Sequence, residues 1–483
     1  MKPGYAADIG LEVHAELQTQ SKMFCACPVV DLTQTSPNTA VCPICAGMPG
    51  TLPVVNEQAV AMALKVALAL DCEINPISQF ARKNYFYPDL PKGYQISQYE
   101  HPLAEQGILP VRMEEGFLSI RIRRVHLEED TAKLTHFHPA EEEPFSLVDL
   151  NRAGIPLLEI VSEPDMHTIE QVLAYTRALR TLLQYLEVNS GDLEKGVIRF
   201  EANVSVRPAK SNRLGTRVEI KNLNSFHAMT SAIAYELDRQ TNLLDSGERI
   251  LQETLGWDEI QQLTVSQRSK EEAHDYRYFP EPDLPLLKLS EAQIASARQA
   301  LPERPDRRFQ RFVADLELEP YPAELLTGEK AVADFYEAVL TEMPQPDPAL
   351  AANWILGELF SLMHTAGKRI DQTLVTPQKF AALLAFLGQD MINPATAKRV
   401  LIRVFESGEA PLKIIEKEGL GQISDHASLK MLIQKVMDEH QPELIAYREG
   451  KGVLFEWFFG QVMRISGGKA NPAVLRELLN KML

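Results

Sequence analysis

The alternation of apolar and polar residues divides the chain into three stretches. Over Ile9 to Gln18 the period is two. Leu11, Val13 and Leu17 fall on one side, and Glu12, His14 and Glu16 on the other, which predicts a half-buried strand. Leu118 to Leu127 and Val197 to Arg207 read as strands by the same alternation and their β-branched content. No regular strand–helix alternation accompanies them, so antiparallel pairing is expected. Helices interrupt this first stretch. Asn56 can cap one over Glu57 to Leu70, Thr168 with Gln171 opens another to about Leu186, and Ser225 opens a third that ends near Gly247. Phe279-Pro-Glu-Pro-Asp-Leu-Pro285 cannot be helical and predicts an extended exit. After Ser290 the pattern becomes helices punctuated by proline, with Thr376-Pro377 and Asn393-Pro394 as start signals and Leu350 to Met363 apolar on most sides, as in a buried helix. A further helical stretch from Gly408 is broken at Gly419, Pro442, Gly450 to Gly452 and Gly467-Gly468. The fold expected is α+β: an antiparallel sheet with flanking helices over residues 1–290, an all-α domain over 291–407 and an all-α tail over 408–483.

Composition narrows the function. The 483 residues suffice for two to four domains, and 45% hydrophobic with 24% charged residues is globular composition. The balance of 49 basic against 66 acidic residues, a net charge of −17, excludes a protein whose whole surface grips nucleic acid and leaves room for local basic patches. No uninterrupted apolar run of about 18 residues predicts a membrane span. The first residues carry neither a signal core nor a transit pattern, so the cytoplasm is the expected location, with neither DNA nor membrane as a partner.

Four groups of residues can carry chemistry. Cys25-x-Cys27 and Cys42-x-x-Cys45 form two close thiol pairs, the spacing that lets tight turns present four sulfurs to one tetrahedral Zn²⁺. Four cysteines would close the coordination sphere, so the site would be structural; buried thiols or a redox pair are the rival reading. Cys72 lies in an apolar helix and reads as core. The second group is carboxylate-rich: Glu12, His14 and Glu16 on one strand face, then Glu128-Glu129-Asp130, Glu201 and Glu219. Oxygen ligands with one imidazole suit Mg²⁺ held against phosphate, while a solvated strand face has the same alternation. The third group is Arg82-Lys83-Asn84-Tyr85-Phe86-Tyr87-Pro88-Asp89-Leu90-Pro91-Lys92-Gly93-Tyr94, with Asp275-Tyr-Arg-Tyr-Phe279; rings beside cations suit a nucleotide or an RNA end, or a loop packed through its tyrosines. No P-loop and no G-x-G-x-x-G after a strand occurs. The fourth is the tail, with Arg448, Lys451, Lys469 and Asn471 among Gly-rich turns that can approach a phosphate backbone or simply join helices.

Taken in order, Ile9-Gly-Leu-Glu-Val-His14, Arg82 to Asp89, Val125-His-Leu-Glu-Glu-Asp130, Val148-Asp-Leu-Asn-Arg152, Glu159 to Asp165, Ile220-Lys-Asn-Leu-Asn-Ser-Phe226 and Asp275 to Pro280 resemble the B subunit of the aspartyl/glutamyl-tRNA amidotransferases, over essentially the whole chain. The resemblance implies a cradle domain, a helical domain and a tRNA-binding tail. It implies a ligase of protein biosynthesis, forming a carbon–nitrogen bond with glutamine as amido donor, in a heterotrimer with an amidase (A) subunit and a small (C) subunit. Its substrate would be misacylated Glu-tRNA(Gln), Asp-tRNA(Asn) or both, phosphorylated on the side-chain carboxylate with ATP and Mg²⁺ and then amidated by ammonia from the amidase. Carried over by position, the Mg²⁺ ligands fall on Glu12, His14, Glu129 and Glu219, with Glu128 as neighbour in the same motif, and Lys83, Tyr85 and Tyr87 fall near the substrate and ammonia path. The four cysteines match the zinc-bearing branch. The family's Cys-Asp-Ala-Asn strand reads Phe200-Glu201-Ala202-Asn203 here. Two other functions compete: a stand-alone amide ligase with its own glutaminase, for which no nucleophile pattern is present, and a non-catalytic zinc-stabilised RNA-binding scaffold.

Overall fold

The computed structural model describes residues 2–137, 143–269, 276–423 and 425–483, and divides the chain into two compact units, residues 1–307 and 308–483. Asp275, the first residue of the second aromatic segment, lies outside the described residues. No helix among the described residues is long and apolar enough to cross a membrane.

The strands of the first unit, in chain order, are β1 (Tyr5–Glu16), β2 (Glu73–Ile74), β3 (Ile77–Ser78), β4 (Ala81–Asn84), β5 (Tyr94–Ser97), β6 (Ala104–Met113), β7 (Gly116–Glu129) and β8 (Lys133–Phe137). They continue with β9 (Phe145–Asp149), β10 (Pro156–Ser162), β11 (Ile198–Pro208), β12 (Val218–Leu223), β13 (Glu253–Asp258), β14 (Leu263–Ser269), β15 (Phe279–Pro280) and β16 (Leu287–Lys288). Nine of them form one sheet in the order β14-β13-β12-β11-β1-β10-β7-β6-β2. All its pairs are antiparallel except β12 with β13. The expected antiparallel pairing holds except there, where a 20-residue helix crosses between the two strands, and such a crossover lets neighbours run in the same direction.

Three helices cover the apolar face, α1 (Glu57–Ala69), α2 (Ile169–Tyr185) and α3 (Phe226–Asp245), and α4 (Glu291–Gln299) packs against α1. The first three start at the expected caps. The side chains of Asn56, Thr168 and Ser225 accept from the backbone N–H groups of Ala59, Gln171 and Ala228. Ile9, Leu11, Val13 and Ala15 of β1 are fully buried in the core beneath these helices. Their alternation partners Glu12, His14 and Glu16 therefore face the other side. A small sheet, β15-β4-β5, walls that polar side.

α4 packs its Ile294 and Ala297, and the following Leu301, on the first core, so the first unit runs beyond residue 290. The second unit contains two apolar cores. One gathers residues from Phe312 to Leu420, including Ile414 and Ile415, and the other gathers Leu429 to Leu479. The helix read over Leu350 to Met363 carries a π-turn at Ile355–Leu359 and exposes Asn353, Gly357 and Ser361. It is thus one-sided, not buried all round, because these small or polar residues recur every four positions. Asn393 and Thr376 cap the helices that follow them, each with proline at the first turn, as expected.

Candidate active site

The polar face of the central strands forms the floor of a cavity of about 570 Å³. Register brings its charges together from strands distant in sequence. On β1, Glu12 pairs with Val161 and Glu201, and His14 pairs with Glu159 and Arg199. On β7, His126 lies opposite Glu159 and Glu128 opposite Leu157. On the far side β12 adds Glu219, across from Asn203.

The ligating atoms fall into two trios. In each, the donor atoms lie within 4.8 Å of one another: His14 with Glu128 and Glu159, and Glu12 with Glu201 and Glu219. In the first, His14 Nε2 is 3.5 Å from Glu159 and 3.6 Å from Glu128. His126 Nε2 stands 3.2 Å from Glu159 on its other side, and its Nδ1 is buried with no partner among the described residues. In the second, Asn203 donates to Glu12 at 2.9 Å and Thr254 donates to Glu219 at 2.8 Å. Lys221 Nζ bridges Glu201 at 2.7 Å and Glu219 at 3.2 Å.

The charges are set by environment. Burial drives Glu12 upward, and Glu159, Glu201 and Glu219 add to this, with Lys221 opposing. Burial and then Glu159 likewise raise Glu128. Burial would raise Glu159 too, but His126 and His14 hold it well below the usual carboxylate range. Burial is likewise outweighed at Glu201, where Lys221 and His14 bring it to about 2. For His14, burial works against the charge, yet the hydrogen bond and charge of Glu159, with Glu201 and Glu128, lift it from 6.5 to about 9. Its folded value exceeds its unfolded one. Without a metal it therefore contributes stability that is full below about pH 6.5 and lost as pH rises through 9. Crowded carboxylates of this kind suit hard divalent cations, which would relieve their repulsion.

Across the floor stand Lys83, Tyr85, Tyr99, Tyr276 and Tyr278. Lys83 Nζ lies 5.1 Å above the Tyr276 ring and 6.0 Å from that of Tyr85, and Tyr99 stacks on Tyr278 at 4.2 Å. Burial opposes the Lys83 charge, but Tyr278, Glu128 and Tyr85 outweigh it. A cation and flat rings above a wall of acids can hold a nucleobase or an anionic group beside bound cations.

Outside the cavity, Cys25, Cys27, Cys42 and Cys45 converge, all free thiols, with sulfurs within 4.8 Å of one another. Cys45 Sγ is 3.9 Å from those of both Cys27 and Cys42. A tetrahedral zinc with Zn–S of about 2.3 Å sets its sulfurs about 3.8 Å apart, so the four residues fit zinc.

A model described as the GatB/GatE catalytic domain matches residues 7–295, and a GatB domain model matches residues 334–483. The B subunit of the aspartyl/glutamyl-tRNA(Asn/Gln) amidotransferase of Dehalococcoides mccartyi is 48% identical over 488 residues, covering 99% of each chain. The chain belongs to this B-subunit family. The protein of the same description from Thermomicrobium roseum is 48% identical over 478 residues and 98% of each chain, and that from Thermotoga maritima 43% over 480 residues and 99% of each. The family is that of a glutamine-dependent carbon–nitrogen ligase acting in protein biosynthesis.

Within this family's fold, the residues singled out in the sequence do not form one set. Glu12 and Glu219 share a trio, and His14 belongs to the other. Glu128 joins His14, whereas Glu129 turns away: its carboxylate is held by Lys92 Nζ and, at 2.9 Å, by the N–H of Ile96. A bulge is the reason. Ile120 and Ile122 point into the core, and so do Val125 and Leu127, because the register slips between them and inverts the alternation before Glu129. Lys83 and Tyr85 line the cavity, while Tyr87 is 55% exposed outside it. Arg448 and Lys451 are exposed and Lys469 half-buried, but Asn471 is 4% exposed and caps the helix Pro472–Met482 through Ala473 and Val474. Its side chain thus serves the fold as a helix cap. The sequence reading missed Glu159, His126 and Lys221. Glu159 opens one of the segments that carry the family resemblance, and it is also a lone carboxylate inside a mostly apolar strand that is buried throughout.

Proposed function

We propose that the acid-lined cavity phosphorylates the side-chain carboxylate of an amino acid esterified to tRNA, and that ammonia then converts it to an amide. The two acid trios facing a cation-and-ring wall carry this reading. The carboxylate oxygen attacks the γ-phosphorus of ATP, and the bond to the ADP oxygen breaks. Ammonia next attacks the acyl carbon, the bond from that carbon to the phosphate oxygen breaks, and the proton lost by the nitrogen passes to the departing phosphate. Mg²⁺ would be held by His14, Glu128 and Glu159 and by Glu12, Glu201 and Glu219, and supplies charge neutralisation where one anion approaches another. Lys221 and His126 hold the carboxylates in their orientations, and Lys83 with Tyr85, Tyr276 and Tyr278 receives the incoming anion. The chain would act as the B subunit beside an amidase (A) subunit that releases ammonia from glutamine and a small (C) subunit, in the cytoplasm, on Glu-tRNA(Gln), Asp-tRNA(Asn) or both. Zinc at the four cysteines would be structural. The tail cations Arg448, Lys451 and Lys469 would contact the tRNA backbone.

Co-expression with the amidase and the small partner, followed by amidation assays on both misacylated tRNAs, tests this. ATP- and glutamine-dependent amidation of at least one is expected, and none of either contradicts it.

Two further outcomes are expected. Because His14 carries a proton up to about pH 9, binding of Mn²⁺ or Mg²⁺ in its trio should release a proton and tighten as pH rises from 6.5 towards 9. Titration calorimetry in buffers of different ionisation enthalpy would read the proton. Elemental analysis of protein purified in reducing buffer should give about one zinc per chain. Cys42→Ala should lower both zinc content and melting temperature, with glutamine hydrolysis by the partner preserved.

A further inference from the structure

Lys22 is 0% exposed, and no other lysine among the described residues is as deeply buried. Its Nζ reaches the carbonyl of Leu150 at 3.1 Å and Cys45 Sγ at 3.6 Å. No carboxylate pairs with it among the described residues. Glu129, whose Oε2 approaches Gly154 from the same side as the Lys22 stem, makes no ion pair with Lys22, and its Oε1 is held by Lys92 and the N–H of Ile96. A buried ammonium without a counter-ion is strongly disfavoured, so a partner charge is required. The carbonyl offers a dipole only. The remaining candidate is sulfur.

Cys45 Sγ also accepts from the N–H of Cys42 at 3.2 Å. Two N–H donors aimed at one sulfur is the environment of a thiolate. Four neutral thiols would give Lys22 nothing to balance. Four thiolates around one divalent zinc leave a net charge of −2, which one buried lysine reduces to −1. The local chain ties the lysine to the site as well: the Lys22 N–H donates to the Cys27 carbonyl at 2.9 Å, so the turn that presents Cys25 and Cys27 starts from the lysine itself.

We propose that Lys22 is the buried counter-charge of a zinc–tetrathiolate centre, holding Cys45 as a ligand and slowing loss of the metal; this rests on the zinc reading above. Lys22 is thus a positioning residue, acting through Cys45. A consequence distinguishes this from simple packing. With zinc bound, replacing the lysine by an apolar residue of similar length should weaken the site. With zinc stripped, the same replacement removes an unbalanced buried charge and should leave the protein as stable as the wild type or more so.

The test uses full-length wild type, Lys22→Met, Lys22→Gln and Lys22→Arg. Zinc content is measured first, then the rate of zinc transfer to a chromogenic chelator, then thermal melting with and without zinc. Lys22→Met and Lys22→Gln should release zinc about 10-fold to 100-fold faster, with Lys22→Arg close to the wild type, and the order of melting temperatures between Lys22→Met and wild type should not be the same with and without metal. If Lys22→Met does not fold, Lys22→Gln against Lys22→Arg gives the comparison. Zinc-loaded wild type with equal release from the neutral and arginine variants overturns the role of Lys22 alone. Wild type that binds no zinc overturns the zinc reading and this proposal with it.

Discussion

Glu159→Gln should reduce tRNA-dependent ATP hydrolysis and amidation by about 10³-fold, while glutamine hydrolysis by the partner amidase continues. Glu159 stands at mid-strand on β10, paired to His14 of β1 and His126 of β7. Its oxygens lie 3.5 Å from His14, 3.2 Å from His126 and 4.0 Å from Arg124. The two histidines, His126 first, keep it ionised against the effect of burial. Glutamine keeps the volume and removes the charge, so the sheet should form as before while the His14 trio loses its most firmly ionised ligand. Assays of ATP turnover, amide formation and glutamine hydrolysis on the same reconstituted complex would separate these effects. Normal amidation by this variant would mean that the polar face is a solvated strand surface and not a phosphoryl-transfer site.

Removing residues 422–483 should weaken tRNA binding about 10-fold or more and lower the slope of log affinity against log salt by about 2 to 3. The net charge of −17 leaves no general attraction for RNA, so binding must come from local cations. Arg448, Lys451 and Lys469 lie in the last core's helices and turns, and all three go with the deletion. The cut belongs after Gly421 and not at 408. Ile414, Ile415 and Leu420 are part of the preceding core, which a cut at 408 would open. Zinc content should be unchanged, since the cysteines lie in the other unit. Equal tRNA affinity of truncated and full-length complexes at two salt concentrations would contradict the tail's proposed role.

Much of the scaffold was legible because it is local. Asn56, Thr168, Ser225, Thr376 and Asn393 each cap the helix expected after them, and β1 alternates as its sequence does. The parallel pair β12 and β13 was not, since direction depends on where a crossover helix returns the chain. At the site, Glu12 and His14 announce themselves by alternation, but which trio each joins is set by cross-strand register that neighbours in sequence do not encode. Glu128 and Glu129 differ by one position, and a bulge upstream decides which of them faces the cavity. Lys22 shows no pattern at all in the sequence; its meaning comes from complete burial beside a sulfur.

The central claim is that this chain activates a tRNA-bound carboxylate in the cavity between the two trios. Hydroxylamine trapping tests it most directly. With ATP, Mg²⁺ and misacylated tRNA but no glutamine, the complex should form an acyl phosphate that hydroxylamine converts to a side-chain hydroxamate, distinct from the α-hydroxamate released when hydroxylamine cleaves the tRNA ester, and Glu12→Gln should abolish that side-chain product. Hydroxamate formed at the wild-type rate by the Glu12→Gln complex would contradict the account.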